Sequence, residues 1–154
     1  MDKKIEQAEI TSMLHSCFFG LEKAHNKLTG SGHKAVVPQV ARMLPQILNV
    51  KGELRFDNDK TLDENLQDLQ DYFNNPEFFE EVLIEKIDDN RYSFEIKGCF
   101  LAKTGVHSIL KPDSNTCMLV YIIASMINIK TGKSLRISNS VFSELGTKTS
   151  IEIV

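Results

Sequence analysis

Thr116-Cys117-Met118-Leu119-Val120-Tyr121-Ile122-Ile123-Ala124-Ser125-Met126-Ile127-Asn128-Ile129 carries no charged residue across fourteen positions. The run is too long for a typical strand, and Thr131-Gly132-Lys133 after it supplies a helix stop. A helix that is apolar nearly all round has to be buried between layers. Other elements must therefore cover it on several sides, and the flanking sequence shows which. Downstream, Ser134 to Phe142 and Thr149 to Val154 read as two strands around Glu144-Leu145-Gly146-Thr147. Upstream, Val82 to Ile87 and Arg91 to Ile96 flank Asp88-Asp89-Asn90. In the second of these runs Tyr92, Phe94 and Ile96 alternate with charged or small residues, the period of a half-buried strand. A β-hairpin with a three-residue turn is expected there. Cys99 to Asn115, broken by Gly105 and Pro112, has no clear period.

Further upstream the period becomes helical. Thr61-Leu62-Asp63-Glu64 is a capping box, with Leu62, Leu66, Leu69 and Phe73 on one side of the helix and Asn74-Asn75-Pro76 at its end. Lys51 to Lys60 is polar and reads as a surface loop. Val36 to Leu48 predicts a helix burying Val37, Val40, Ala41, Leu44, Ile47 and Leu48. Pro38 suits its first turn, while Pro45 kinks or shortens it. Ile5 to Leu28 predicts an amphipathic helix through Ile5, Ala8, Met13, Phe18, Leu21, Ala24 and Leu28, stopped at Gly30-Ser31-Gly32. Three helices, a hairpin, a buried helix and a second hairpin make an α+β fold with an antiparallel sheet of about four strands.

At 154 residues the chain fits one domain, with a helical part over about 1–75 and a hairpin–helix–hairpin part over about 80–154. Eighteen basic against twenty-one acidic residues leave a net charge of −3, which argues against a nucleic-acid module. Three cysteines are too few for a disulfide scaffold, and the opening residues lack the apolar core of a signal peptide. A cytoplasmic location is therefore expected. No apolar stretch reaches the length of a membrane span, so no membrane insertion is expected.

Candidate chemistry is sparse. Cys99, His107 and Cys117 fall within nineteen residues and offer soft and imidazole donors to zinc or iron. Their spacing matches no known metal signature, and free cysteines commonly serve as small buried apolar groups. His15 and Cys17 point in different directions on one helix, and His25 and His33 border the glycine break. Gly30-Ser31-Gly32 lacks the context of a nucleophile elbow or a phosphate loop. The acidic runs Asp57 to Asp71 and Glu77 to Glu81 read as solvated faces. More informative is the supply of pliable apolar groups: Met13, Phe18, Phe19, Met43, Leu44, Met118, Tyr121, Ile122 and Met126. Such side chains fill ordinary cores and also line apolar ligand cavities.

Four stretches resemble the 4-vinyl-reductase-type domain: Glu95 to Ala102, Asn115 to Met118, Lys133 to Ser140 and Gly146 to Ile153. In that family a strand ends in Cys-x-φ-Ala and a second cysteine opens the following helix. The domain closes with Cys-x-x-Gly-Asp-x-x-Cys. Cys99 and Cys117 match the first two cysteines, and the Leu28-Thr29-Gly30 end of the first helix is similar to the family's opening helix. The last two cysteines are replaced by Val141-Phe142-Ser143 and Thr149-Ser150, and Thr147 rather than Asp follows Gly146. The resemblance, over residues 91–154 and the first helix, implies a hydrocarbon- or small-molecule-binding module. It also implies a fold akin to trafficking-complex subunits that bury an acyl chain and to haem nitric-oxide sensors, with helices packed on one face of a twisted sheet. Half of the family's cysteine cluster is missing, which favours an apolar pocket over a metal site.

Together these features lead to a non-catalytic binding or sensing domain for an apolar or amphipathic small molecule, lipid-like or haem-like if any cofactor is held. Cys99, His107, Cys117 and Tyr121 are the expected polar or soft groups, and Phe18, Met118 and Ile122 the apolar lining. A twofold homodimer is expected as its assembly. The alternatives are a ligand-free homodimeric scaffold and a metal enzyme acting through Cys99, His107 and Cys117.

Overall fold

In the computed structural model the uncharged run is a helix from Met118 to Thr131, with Cys117 as N-cap and Gly132 closing its C-terminus at φ 63°. That left-handed backbone lets the Gly132 N–H donate back to Asn128 C=O at 2.8 Å, a conformation glycine adopts without penalty. The structure describes residues 3–30, 39–40, 43, 56–74, 79–103, 105–109, 116–138 and 140–154. In chain order the elements are α1 (Lys3–Thr29), α2 (Leu62–Phe73), β1 (Glu81–Asp88), β2 (Arg91–Lys97), α3 (Phe100–Lys103), α4 (Val106–Ile109), α5 (Met118–Thr131), β3 (Leu135–Ile137), β4 (Val141–Phe142) and β5 (Gly146–Ile153).

Among the described residues the five strands form one antiparallel sheet in the order β1-β2-β5-β3, with β4 also on β5. One face of it is apolar. Val82, Tyr92, Phe94, Ile96, Ile137, Ile151 and Ile153 are buried there, together with Leu66, Leu69 and Phe73 of α2 and Val120, Ile123, Ala124 and Ile127 of α5. The opposite face is polar, with cross-strand pairs Lys97–Glu81 at 2.6 Å, Lys148–Glu95 at 3.1 Å and Arg136–Glu152 at 2.9 Å. The fold is α+β, helices on one side of an open antiparallel sheet.

The α2 capping box forms as the sequence requires: the Glu64 N–H donates to Thr61 Oγ1, and the Thr61 N–H donates to Glu64 Oε2 at 2.7 Å. The last turn of α2 then protects the open edge of the sheet. Asn74 Oδ1 accepts from the Val82 N–H at 2.6 Å while Asn74 Nδ2 donates to Val82 C=O at 3.1 Å, and Gln70 Oε1 accepts from the Ile84 N–H at 2.6 Å. Side-chain amides thus occupy backbone groups that an edge strand would otherwise offer to another chain.

Several expectations change. The β1–β2 turn is Asp89–Asn90, two residues rather than three, with a register shift between Lys86 and Asp88. The Asp88 carboxylate accepts from the Asn90 N–H at 3.0 Å and from Arg91 Nε at 2.6 Å, which tightens the loop. The expected strand from Ser134 to Phe142 is interrupted: β3 pairs with Ile151–Ile153 and β4 with Thr147–Lys148, giving five strands instead of four. Between them Ser138 substitutes for the ladder, its N–H donating to Ser150 C=O and its Oγ accepting from the Ser150 N–H. Gly146, read as part of a turn, opens β5, and a Cβ there would lie 1.8 Å from Ile96 O. Cys99 to Ile109 holds the short helices α3 and α4.

The helix expected over Val36–Leu48 lies outside the described residues except for Gln39, Val40 and Met43, which are helical. Residues 51–55 of the expected loop also lie outside, while 56–60 are irregular. The largest correction concerns α1. Met13, Leu21 and Leu28, expected to face inward, are 68%, 71% and 85% exposed, whereas Phe19 and Glu22 are buried and Phe18 is half-buried.

Ile123 is fully buried, so Ile123→Glu places an unpaired charge in a dry layer. It is expected to cost more than about 4 kcal/mol; soluble variant with the wild-type Tm would contradict the assignment of α5. Asn74→Ala strips the Val82 N–H and C=O of their partners and is expected to cost about 1–3 kcal/mol. Thermal denaturation followed by circular dichroism checks both.

Candidate functional site

The N-cap N–H of a buried helix, and the backbone that leads into it, must find acceptors in the interior. Here they come from far along the chain. The Thr116 N–H donates to Glu22 Oε2 of α1 at 3.0 Å, and the Cys117 N–H donates to Ser140 Oγ at 2.9 Å. Ser140 Oγ is in turn 2.6 Å from Thr149 Oγ1 of β5. The second Glu22 oxygen, Oε1, accepts from the Tyr121 hydroxyl at 3.3 Å. The positive end of the helix dipole suits a carboxyl group at this place. Glu22 is only 5% exposed, so α1 inserts an acid into the body at the N-terminus of α5.

Aromatic side chains surround this polar knot. Phe18 meets Tyr121 edge-on at 5.6 Å between ring centroids, Phe18 meets Phe19 at 5.9 Å, Phe19 meets Phe142 at 5.4 Å, and Phe142 meets His107 at 5.0 Å. The result is a chain of edge-to-face contacts from α5 through α1 and β4 to α4, a geometry that adds to simple burial.

His107 Nδ1 lies 3.0 Å from Ser143 C=O and 3.2 Å from Gly146 C=O. Both partners are acceptors, so Nδ1 carries the proton. Burial holds the His107 pKa below the ordinary imidazole value, although these two carbonyls pull the other way. Cys99 and Cys117 are both buried and unpaired by any disulfide. Burial pushes the Cys117 thiol up to about 12, with the nearby Cys99 and Glu22 adding to it and the Leu119 and Val120 amides opposing. The Tyr121 phenol is raised well beyond its usual range, by burial first and then by Glu22. The Thr116 hydroxyl sits close enough to hold that phenol down slightly. Even so, Thr116 Oγ1 makes no hydrogen bond of acceptable geometry, and among the described residues it is the one buried side-chain oxygen or nitrogen left so.

Of the residues selected from sequence, Phe18, Cys117 and Tyr121 gather around the N-terminus of α5, with Cys99 in electrostatic reach of Cys117, while His107 sits at the far end of the aromatic chain against Phe142. Met118 and Ile122 are half-buried on the same helix. Cys99, His107 and Cys117 do not come together as a set of metal ligands, and no group of three His, Cys, Asp or Glu does so among the described residues. Glu22, Ser140, Phe142 and Thr149 were not singled out by the sequence. The Phe18-Phe19 pair could have located the inward face of α1, and Glu22 lies on it one helical turn later. A shallow depression of about 380 Å³ lies elsewhere, on the polar face of the sheet between Arg91, Arg136, Ser150 and Glu152. Its arginines are already engaged by Asp88 and Glu152.

The raised Cys117 pKa makes a signed forecast. A thiol that ionises near 9 when unfolded and near 12 when folded keeps its proton better in the native state. Its contribution is therefore complete below pH 9 and lost as pH climbs towards 12. Between pH 9 and 10.5 wild-type stability is expected to fall by up to about 1.4 kcal/mol per pH unit more than that of Cys117→Ala, measured by urea denaturation. At pH 8, iodoacetamide followed by peptide mass mapping should leave Cys117 unmodified in native protein and alkylate it in urea. Set against family models, curated proteins and solved structures, the chain matches none of them.

Proposed function

We propose that this domain is a non-catalytic binding or sensing module for an apolar or amphipathic small molecule, held where α1 covers the N-terminus of α5. The observation that carries it is the composition of that junction: four aromatic rings and two thiols around a buried polar knot of Glu22, Tyr121 and the Thr116 hydroxyl. Small-molecule sites combine mostly apolar lining with a few convergent polar groups, and Glu22, Thr116 and Tyr121 are such groups. Cys117 and Tyr121 are protonated at neutral pH, and burial raises both further, so they face a ligand as neutral soft and hydroxyl groups. The ligand class, lipid-like or haem-like, is the one that the resemblance of Cys99 and Cys117 to the 4-vinyl-reductase-type pattern implies.

Access runs through α1. Among its described residues, Phe18, Phe19 and Glu22 reach the junction, within little more than one turn of a 27-residue helix. A ligand entering beneath them replaces a few contacts, and the helix responds as a lever. A second function, self-association as a homodimeric scaffold, is favoured by a separate observation: α1 leaves Met13, Leu14, Leu21 and Leu28 more than half exposed.

Native mass spectrometry of protein purified without added ligand tests the binding function. The expected spectrum shows an additional mass of lipid or tetrapyrrole size, lost or much reduced in Phe18→Ala and in Tyr121→Phe. A bare mass, together with no shift in Tm on adding fatty acids or haem, would overturn it.

A further inference from the structure

We infer that α1 pairs with α1 of a second copy of this chain along a seam formed by Leu14, Cys17, Leu21, Ala24 and Leu28. The seam gives a surface to the self-association proposed above and does not depend on ligand binding. Its steps alternate between three and four residues, the spacing of core positions in a helix pair. At 100° per residue the stripe lies about a third of a turn around the helix from the face that carries Phe18, Phe19 and Glu22. The docking of α1 on its own body therefore leaves the stripe uncovered: Leu14 is 62% exposed, Leu21 71% and Leu28 85%, and Cys17 and Ala24 are exposed as well.

Three features select a second copy as the occupant. The first is area. Leu14, Leu21, Leu28 and the adjoining Met13, each more than 60% exposed, are large side chains, and a second copy meeting them takes apolar surface of both chains out of water at once. The second is periodicity. A repeat of seven residues stays in contact only with a partner helix of the same pitch. Among the described helices α2 and α5 bury their apolar sides, whereas α1 keeps its seven-residue repeat in water and matches the pitch of its own copy. The third is charge. The seam contains no charged residue, and α1 as a whole carries Lys3, Lys4, Lys23 and Lys27 against Glu6, Glu9 and Glu22. A membrane-surface helix is expected to be rich in basic residues on its polar face, and α1 is nearly balanced.

Sedimentation velocity from low to high micromolar concentration tests the assignment in full-length wild type, Leu21→Glu, Leu28→Glu and Lys23→Glu. Leu21 and Leu28 are exposed in the single chain, so both variants should keep the wild-type helical circular dichroism. The expected result is a dimer for wild type and for Lys23→Glu, with association weakened at least about a hundredfold in the two leucine variants by a charge in the seam. A wild-type monomer throughout would overturn self-association and seam together. A dimer that Leu21→Glu and Leu28→Glu leave intact would overturn the seam alone. A monomer in which Leu21→Glu lowers Tm would show the face to be covered within one chain, and would overturn the seam as well. Binding of wild type to anionic lipid vesicles, abolished by Leu21→Glu while the protein stays monomeric, would assign the face to a membrane surface instead.

Discussion

Burying α5 on most of its circumference takes Val120, Ile123, Ala124 and Ile127 completely out of water, and the other elements are arranged to make that possible. Full burial of a large aliphatic side chain contributes about 1.5–3 kcal/mol, so Val120, Ile123 and Ile127 rank among the larger single contributions to the core. A sheet supplies one wall, through Phe94, Ile96 and Ile151, and α2 supplies another through Leu66, Leu69 and Phe73. The sheet then has a single apolar face. Its other face carries Lys97–Glu81, Lys148–Glu95 and Arg136–Glu152, exposed pairs of a kind that stabilise little. They favour the register that the core face has already chosen.

The same burial has a cost at the helix ends. The C-terminus of α5 is closed locally by Gly132. At the N-terminus the Val120 N–H turns back to Cys117 C=O at 3.0 Å, but the N–H groups of Thr116 and Cys117 look outside the helix for acceptors. Acceptors arrive from Glu22, 94 positions away from Thr116, and from Ser140, 23 positions away from Cys117. The candidate site is therefore a consequence of the fold's central constraint. A buried helix start needs polar groups, those groups come from α1 and the β3–β4 link, and aromatic rings seal the place where these elements meet. The β1 edge is handled in the same manner, by Asn74 and Gln70 from the last turn of α2.

These facts explain what was legible in the sequence. The uncharged run, the capping box at Thr61 and the alternation at Tyr92, Phe94 and Ile96 are local patterns with one physical reading each, and all three elements form. The direction of α1 was not legible, because that helix has two apolar stripes and periodicity alone does not say which one faces the body. A glutamate one turn beyond Phe18 reads as solvent-facing until the start of α5 is placed against it. The gap between β3 and β4 and the strand start at Gly146 depend on partner strands distant in sequence. In the candidate site, Phe18, Cys99, His107, Cys117 and Tyr121 were visible as residue types, whereas Glu22, Ser140, Phe142 and Thr149 became visible only through the packing.

Under both proposals one helix serves two sites. Phe18, Phe19 and Glu22 hold α1 against the body, and the stripe from Leu14 to Leu28 lies on the same rigid cylinder. A helix is a stiff secondary element, so a displacement at one of its faces is carried to the other. A molecule seated between Phe18 and Tyr121 would shift α1 relative to α5 and thereby the seam relative to the body. Pairing at the seam would in turn restrict how far α1 can lift from Tyr121. Linkage requires the two effects to be equal in free energy: whatever factor the ligand applies to dimerisation, dimerisation applies to ligand affinity. Glu22 is the natural fulcrum, because it is bonded both to the backbone that leads into α5 and to the phenol of Tyr121. Lifting α1 from α5 stretches those two bonds first, so under both proposals Glu22 is where the two faces meet.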